Sequence, residues 1–143
     1  MEAFMKWINT NIKWIMVISG VLTSTMVYAA LAPEAALQSN FGETLDEPLA
    51  KIIVRNWGAL IAMVGGMLIY GAFKPAVRGL ALFVAGVSKV IFIALVLSEG
   101  NRYLSEQVGI AVAVDSVMVL LFLAYALVSA SRRTEMEPLR KMR

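Results

Sequence analysis

The chain has 143 residues, of which 59% are hydrophobic and 16% are charged, and it carries a net charge of +3 at pH 7. Soluble domains average roughly 45–50% apolar and about 25% charged residues, so the excess indicates that lipid solvates much of the surface. The lack of Cys and His excludes disulfides, zinc–thiolate sites, iron–sulfur clusters, haem with His or Cys ligands, and acid–base catalysis by histidine within this chain.

Four apolar stretches are long enough to cross a bilayer core about 30 Å thick, which needs about 20 helical residues. They predict transmembrane helices over residues 14–31, 52–73, 79–97 and 108–130. The residues that separate them are typical of turns and helix ends, namely Pro33, the Lys74-Pro75 pair and the Gly100-Asn101 pair. The predicted fold class is all-α, an integral membrane four-helix up-and-down bundle in one membrane domain, residues 1–143.

The first helix has features of a secretory signal, because Lys6 and Lys13 precede an apolar run that ends in small residues. Since the chain begins at Met1, we expect this helix to be retained as a transmembrane segment. It is followed by the longest loop, residues 32–51, in which Pro33 favours a short helix through Leu37. The chain ends in a polar tail, residues 131–143.

Basic residues indicate the orientation, because cytoplasmic loops carry an excess of Lys and Arg. Nine of the 13 basic residues fall on one side: Lys6, Lys13, Lys74, Arg78, Arg132, Arg133, Arg140, Lys141 and Arg143. The other side has Lys51, Arg55 and Arg102. We therefore expect a multi-pass protein of the bacterial inner membrane with both termini in the cytoplasm. Since topology explains the positive charge, we expect no nucleic-acid partner.

Small residues predict where helices pack closely, since helix association in lipid depends on close approach. The second helix carries Gly58, Ala62 and Gly66 at a spacing of four, and the third helix has Ala85 and Gly86. This stripe indicates packing within the bundle, and the alternative is the interface of a homo-oligomer.

Two ionisable residues, Lys89 and Asp115, lie well inside the apolar runs. Lys89 lies nine residues from the outer end of the third helix and Asp115 about eight from the outer start of the fourth, so both are roughly 12–13 Å deep. Because an isolated charge in hydrocarbon is costly, two opposite charges at one depth on helices joined by a short loop should meet.

Other polar residues approach this layer: Thr23 and Ser24 on the first helix, and Arg55 and Asn56 near the outer start of the second. Arg55 is a second candidate partner for Asp115. The cluster is either a structural ion pair that fixes helix register or a site for a ligand, a proton or an ion.

A long first outer loop precedes Val54-Arg55-Asn56-Trp57-Gly58-Ala59, which leads into a Gly-rich second helix. In this layout, over nearly the whole chain, the protein resembles the DoxX-like superfamily and allied uncharacterised four-helix bacterial membrane families. The resemblance implies a four-helix bundle, often without an assigned activity, and marks Arg55 and Gly58 as positions of interest.

Three functions are compatible with these features. The first is a non-catalytic membrane module, which is a partner subunit, an oligomeric scaffold or a bundle that binds lipid or a hydrophobic ligand. The second is a small transporter or channel that uses Lys89 and Asp115. An enzyme is the weakest of the three, because the sequence shows no nucleophile–base pair and no Asp-rich metal motif. We expect no metal and no cofactor, and as partners the lipid bilayer with a homo-oligomer or a larger membrane complex as alternatives.

Overall fold

The computed structural model describes residues 2–45 and 47–141, with side chains described at 3–4, 6–45 and 47–131. Within these residues the chain is all-helical, with α1 Glu2–Ser24, α2 Val27–Leu31, α3 Pro33–Phe41, α4 Pro48–Phe73, α5 Pro75–Ser98 and α6 Gln107–Lys141. The described part contains four helical segments long and apolar enough to cross a membrane, which are Lys6–Leu31, Pro48–Phe73, Pro75–Ser98 and Gln107–Ser131. The protein is therefore a multi-pass membrane protein.

The predicted first helix, 14–31, is interrupted at residues 25–26, where α1 ends and α2 begins. The other three spanning helices extend beyond the apolar runs that predicted them, because hydropathy locates the lipid-embedded part and not the ends of backbone hydrogen bonding. Three helices begin with proline in the first turn, at Pro33, Pro48 and Pro75, where the missing N–H has no intrahelical partner to lose. α6 continues to Lys141, through most of the predicted polar tail. Within the loop predicted at 32–51, α3 runs to Phe41 rather than Leu37. Asp46 of that loop, and residues 142–143 of the tail, lie outside the described residues.

The spanning helices form a closed ring, in which α1 packs on α4 and α6 while α5 packs on α4 and α6. Lys74 alone joins α4 to α5, and so short a connection makes the two helices antiparallel neighbours. We call the membrane side that holds this turn the Lys74 end and the opposite side the α3 end. The short helices α2 and α3 pack at the α3 end, against α4 and, for α3, also α6.

The central core lies in the half of the ring nearer the Lys74 end. It draws buried side chains from all four spanning segments, namely Ile12, Met16, Leu68, Ala72, Ala81, Leu82, Ala85, Met118 and Phe122. Ala85, predicted as a packing residue, is fully buried there. A small residue at this position lets the neighbouring helices approach α5 closely.

Glycines bring α4 into backbone contact with the first spanning segment. A Cβ on Gly58 would lie 2.7 Å from the Ala30 nitrogen, and a Cβ on Gly65 would lie 2.6 Å from the carbonyl oxygen of Gly20. A side chain at either position would force the helices apart, so these two glycines set the distance between α4 and the segment formed by α1 and α2.

The predicted packing stripe on α4 is wrong at one position. Gly66 lies on the exposed face of α4, with open space beyond it. At about 100° per residue, Gly65 lies about 20° around the helix from Gly58, whereas Gly66 lies about 80° away. The stripe therefore runs from Gly58 past half-buried Ala62 to Gly65.

Candidate functional site

Lys89, near the middle of α5, is the centre of a polar cluster inside the ring of helices. It is 6% exposed. Its Nζ forms an ion pair with Oδ1 of Asp115 on α6 and donates a hydrogen bond of 3.1 Å to Oγ1 of Thr23 on α1. One ammonium group thus connects three helices.

The ion pair between Lys89 and Asp115 confirms that the two residues lie at one depth. Lys89 is nine residues before the end of α5 at Ser98, and Asp115 is eight residues after the start of α6 at Gln107. At 1.5 Å per residue both lie about 12–13 Å from the turn between the helices. Antiparallel packing of α5 on α6 then brings opposite charges together, which removes the cost of leaving either one alone in hydrocarbon.

Thr23 is buried at 7% exposure and lies at the point where α1 ends. The next residues make turn-type bonds from Thr25 to Leu22 and from Met26 to Thr23, and Oγ1 of Thr25 donates to the Leu22 carbonyl at 2.6 Å. Such a side-chain bond competes with the helical backbone pattern and accompanies the break between α1 and α2. The break lies beside a close approach of α4, where a Cβ on Gly58 would be 2.8 Å from the Met26 carbonyl oxygen.

Apolar clusters enclose the ion pair on both sides along the helix axis. Towards the α3 end lie Val96, Val108 and Val112, packed with Phe41, Phe92, Ile93, Tyr103 and Leu104. Towards the Lys74 end lies the central core that includes Met16, Ala85 and Met118. The side chain of Lys89 is 7% exposed and that of Asp115 is 18% exposed. The ammonium is therefore buried, and the helices cover most of the carboxylate.

Three of the other residues predicted for this layer lie elsewhere. Arg55 is exposed and its Nε donates to the Ala30 carbonyl at 2.9 Å, so it caps the last turn of α2 and does not reach Asp115. Asn56 is also exposed. Ser24 packs against α4, where a Cβ on Gly65 would lie 2.6 Å from its nitrogen. The cluster therefore consists of Lys89, Asp115 and Thr23.

A second feature was not predicted from the sequence: an apolar groove of about 580 Å³ between α5 and α6. Leu82, Phe83, Gly86 and Val90 of α5 and Phe122 and Ala126 of α6 are among the residues that line it. Gly86, predicted as a close-packing residue, is half-buried, and a Cβ there would meet Phe122 at an ordinary 3.9 Å. It forms part of the groove wall and does not hold two helices together.

Arg78 lies at the Lys74 end of this groove. Its Nε donates to the Gly71 carbonyl at 3.4 Å and its Nη2 to the Ala72 carbonyl at 3.0 Å. These carbonyls belong to the last turn of α4, which has no intrahelical donors for them and attracts positive charge. The side chain is half-buried, so the groove has a positively charged end.

A polar clasp holds the turn between α5 and α6 against the segment after α3. Oε1 of Glu43 accepts hydrogen bonds from Arg102 at 2.5 Å and from the Tyr103 hydroxyl at 3.2 Å, and Phe41 packs edge-on against the Tyr103 ring at 5.5 Å. The hydrogen bond that Arg102 donates to Glu43 raises the pKa of Arg102. Desolvation and the hydrogen bond to Glu43 raise the pKa of Tyr103.

A separate exposed ion pair joins the start of α3 to the start of α4. Lys51 pairs with Glu34. The hydrogen bond and the positive charge of Lys51 lower the pKa of the Glu34 carboxyl.

Among the described residues, no group of three or more His, Cys, Asp or Glu side chains is placed to hold a metal ion.

No protein-family model matches the chain, and comparisons with curated proteins and with solved structures likewise found no match. The function is therefore inferred from the geometry of the chain's own residues.

Proposed function

We propose that the protein is a non-catalytic membrane module in which Lys89, Asp115 and Thr23 lock α5, α6 and α1 in register. The observation that carries this proposal is the enclosure of the ion pair. Lys89 is 6% exposed, its ammonium has two partners, and apolar clusters lie on both sides. A conducting site needs exchangeable coordination along a pore, and a transporter would have to open both clusters.

A module of this kind is a partner subunit, an oligomeric scaffold or a bundle that binds a hydrophobic ligand. The groove between α5 and α6 favours the last of these, because it has a volume of about 580 Å³ and mainly apolar walls. Ligand sites in proteins span about 300–1,000 Å³ and combine apolar walls with a few placed polar groups. We infer that the groove binds a hydrocarbon chain.

The proposal includes a location in a bacterial inner membrane with both termini in the cytoplasm. It is supported by the basic residues of the Lys74 end, which include Lys6, Lys13, Lys74 and Arg78. Kinship with the DoxX-like superfamily is part of the same proposal and is supported by the long loop before α4 and by the layout of the spanning helices.

Flux measurements on reconstituted protein test the lock against transport. The protein is reconstituted into liposomes that contain a pH-sensitive dye. A proton gradient, a membrane potential or both are then imposed. We expect wild-type liposomes to leak no faster than protein-free liposomes. A proton or cation flux through the wild type that Asp115→Asn abolishes would overturn the proposal in favour of a transporter or channel.

A further inference from the structure

The groove between α5 and α6 lies in the half of the ring at the Lys74 end. It is lined from Pro75 to Ile91 on α5 and from Val119 to Ala130 on α6. The stretch on α6 is about 16 Å long and that on α5 is about 24 Å long, whereas half of a hydrocarbon core is about 15 Å thick. The groove thus extends from the Lys74 end of the helices to about the depth of Lys89.

The polar groups of the groove lie at the same end, where a lipid headgroup would be. Arg78 and Ser129 are both lining residues near that end. The bonds from Arg78 to Gly71 and Ala72 use two of the five N–H groups of a guanidinium, so donors remain for an anionic oxygen. Lys74 lies one residue before α5 and is exposed. In the sequence, Arg132 and Arg133 lie two and three residues after Ala130, the last groove-lining residue of α6.

We propose that this groove is a binding site for an anionic phospholipid of the leaflet at the Lys74 end, with one acyl chain between α5 and α6 and the phosphate at Arg78. The inference rests on the proposed binding of a hydrocarbon chain and adds the class of lipid. Guanidinium groups bind phosphate through paired, charge-assisted hydrogen bonds. A net negative headgroup is favoured over a zwitterionic one by the positive charge of Arg78 and of the nearby Lys74.

The charge at one end of the groove favours a lipid over a helix from a second copy. Arg78 lies among otherwise mainly apolar lining residues, and an anionic headgroup would place its negative charge against this guanidinium. A flexible acyl chain can follow the apolar remainder of the groove.

Native mass spectrometry of the detergent-solubilised protein tests the site with two lipids of the same acyl chains, dioleoyl phosphatidylglycerol and dioleoyl phosphatidylcholine. We expect the wild type to bind the glycerol lipid about fivefold more tightly, the effect of about one basic residue. Arg78→Gln should reduce this preference to near unity. Lys6→Gln, an equal charge change at an exposed site of α1 outside the groove, should leave the preference intact.

A second pair of variants tests the position of the chain. Gly86→Leu adds a large side chain to the groove wall and should lower the binding of both lipids several-fold. Gly66→Leu is the matched control, because Gly66 is exposed on α4 with open space beyond it, and it should bind like the wild type. If Gly86→Leu lowers both lipids while the wild type shows no headgroup preference, the inference fails and the proposed hydrocarbon site stands. If Gly86→Leu binds both lipids as well as Gly66→Leu does, the hydrocarbon site fails as well.

Photocrosslinking of the wild type keeps the test decisive if a variant does not fold. A phosphatidylglycerol with a photoreactive group in one acyl chain should label peptides that contain Phe83 or Phe122, both groove-lining residues. Labelling confined to peptides of α1 and α4 would overturn the proposal. So would the finding that α5 and α6 are protected from the lipid by a stable dimer.

Discussion

Gly20 on α1 and Gly65 on α4 face each other so closely that a Cβ on either would lie 2.6–2.7 Å from the carbonyl oxygen of the other. In lipid, helices gain little from the hydrophobic effect when they associate, and close van der Waals packing becomes the main attraction. The mutual contact of these two glycines therefore carries much of the α1–α4 interface, and it is specific to one face of α4.

Gly65→Leu should disrupt this interface, whereas Gly66→Leu should not. The leucine at 65 would overlap the α1 backbone near Gly20 and Ser24, and overpacking of this kind costs about 1–3 kcal/mol or more. At 66 the added side chain would meet only lipid. Unfolding of the two variants in detergent measures the difference. Equal stability of the two variants would show that α4 does not turn the Gly65 face towards α1.

Thr23→Val should weaken the polar cluster while keeping the shape of the side chain. It removes the acceptor that Lys89 contacts at 3.1 Å, and a hydrogen bond inside a membrane protein contributes on average about 0.6 kcal/mol, with larger values for charged donors. Thr25→Val is the control, since its hydroxyl bonds locally to the Leu22 carbonyl, at an exposed site in the turn after α1. Equal stability losses for the two variants would argue against a role for Thr23 in the cluster.

The proposed orientation can be tested by labelling, because the chain contains no cysteine and any introduced thiol reports alone. Gln38→Cys on α3 and Lys74→Cys in the turn between α4 and α5 are both at exposed positions. A membrane-impermeant maleimide added to intact cells should label Cys at 38, and Cys at 74 only after lysis. The reverse pattern would refute cytoplasmic termini. Labelling of both cysteines from outside would refute the single span, α4, that separates residues 38 and 74.

The clasp at the α3 end should be sensitive to high pH. Desolvation and the hydrogen bond to Glu43 raise the pKa of Tyr103 above its ordinary value, so the folded state favours the neutral phenol. The contribution of the neutral Tyr103 phenol to stability is present below about pH 10, and it is lost as the pH rises through the pKa that Tyr103 has in the folded protein. Ultraviolet titration should show a late tyrosine step that Tyr103→Phe removes.

Glu43→Gln provides the control for this titration. It should lower the pKa of Tyr103 only part of the way, because desolvation, the larger cause, remains. A Tyr103 step at or below the ordinary tyrosine value would contradict the clasp.

The depth of residues in the membrane could be predicted from the sequence, but their direction around each helix could not. Depth follows from the fixed rise per residue and the short turn between α5 and α6, which is why the pairing of Lys89 with Asp115 was predicted correctly. Thr23 and Ser24 share a depth, yet they lie about 100° apart around α1. Only the rotation of α1 against α4 places Thr23 in the cluster and Ser24 against Gly65.

The groove could not be predicted for a related reason. It is lined by residues of both α5 and α6, so it depends on faces that belong to two helices. Gly79 and Gly86, two turns apart on α5, both line it and were the one sequence signal. The sequence of a single helix does not distinguish such groove-lining glycines from Gly58 and Gly65, which pack against a neighbouring helix.

The most direct measurement of the structural lock is a double-mutant cycle on the free energy of unfolding. Lys89→Met leaves Asp115 without its ammonium partner, and Asp115→Asn leaves the ammonium without its counter-charge. Breaking a buried ion pair from one side costs about 3–5 kcal/mol. Removing both charges leaves no uncompensated ion, so the double variant should recover a large part of that loss.

The two substitutions should be strongly non-additive. The double variant should lose less stability than either single variant, which requires a coupling free energy of at least about 3 kcal/mol, measured by denaturant unfolding in the same detergent. If the losses of Lys89→Met and Asp115→Asn simply add in the double variant, the two side chains do not stabilise each other and the proposed lock between α5 and α6 is contradicted.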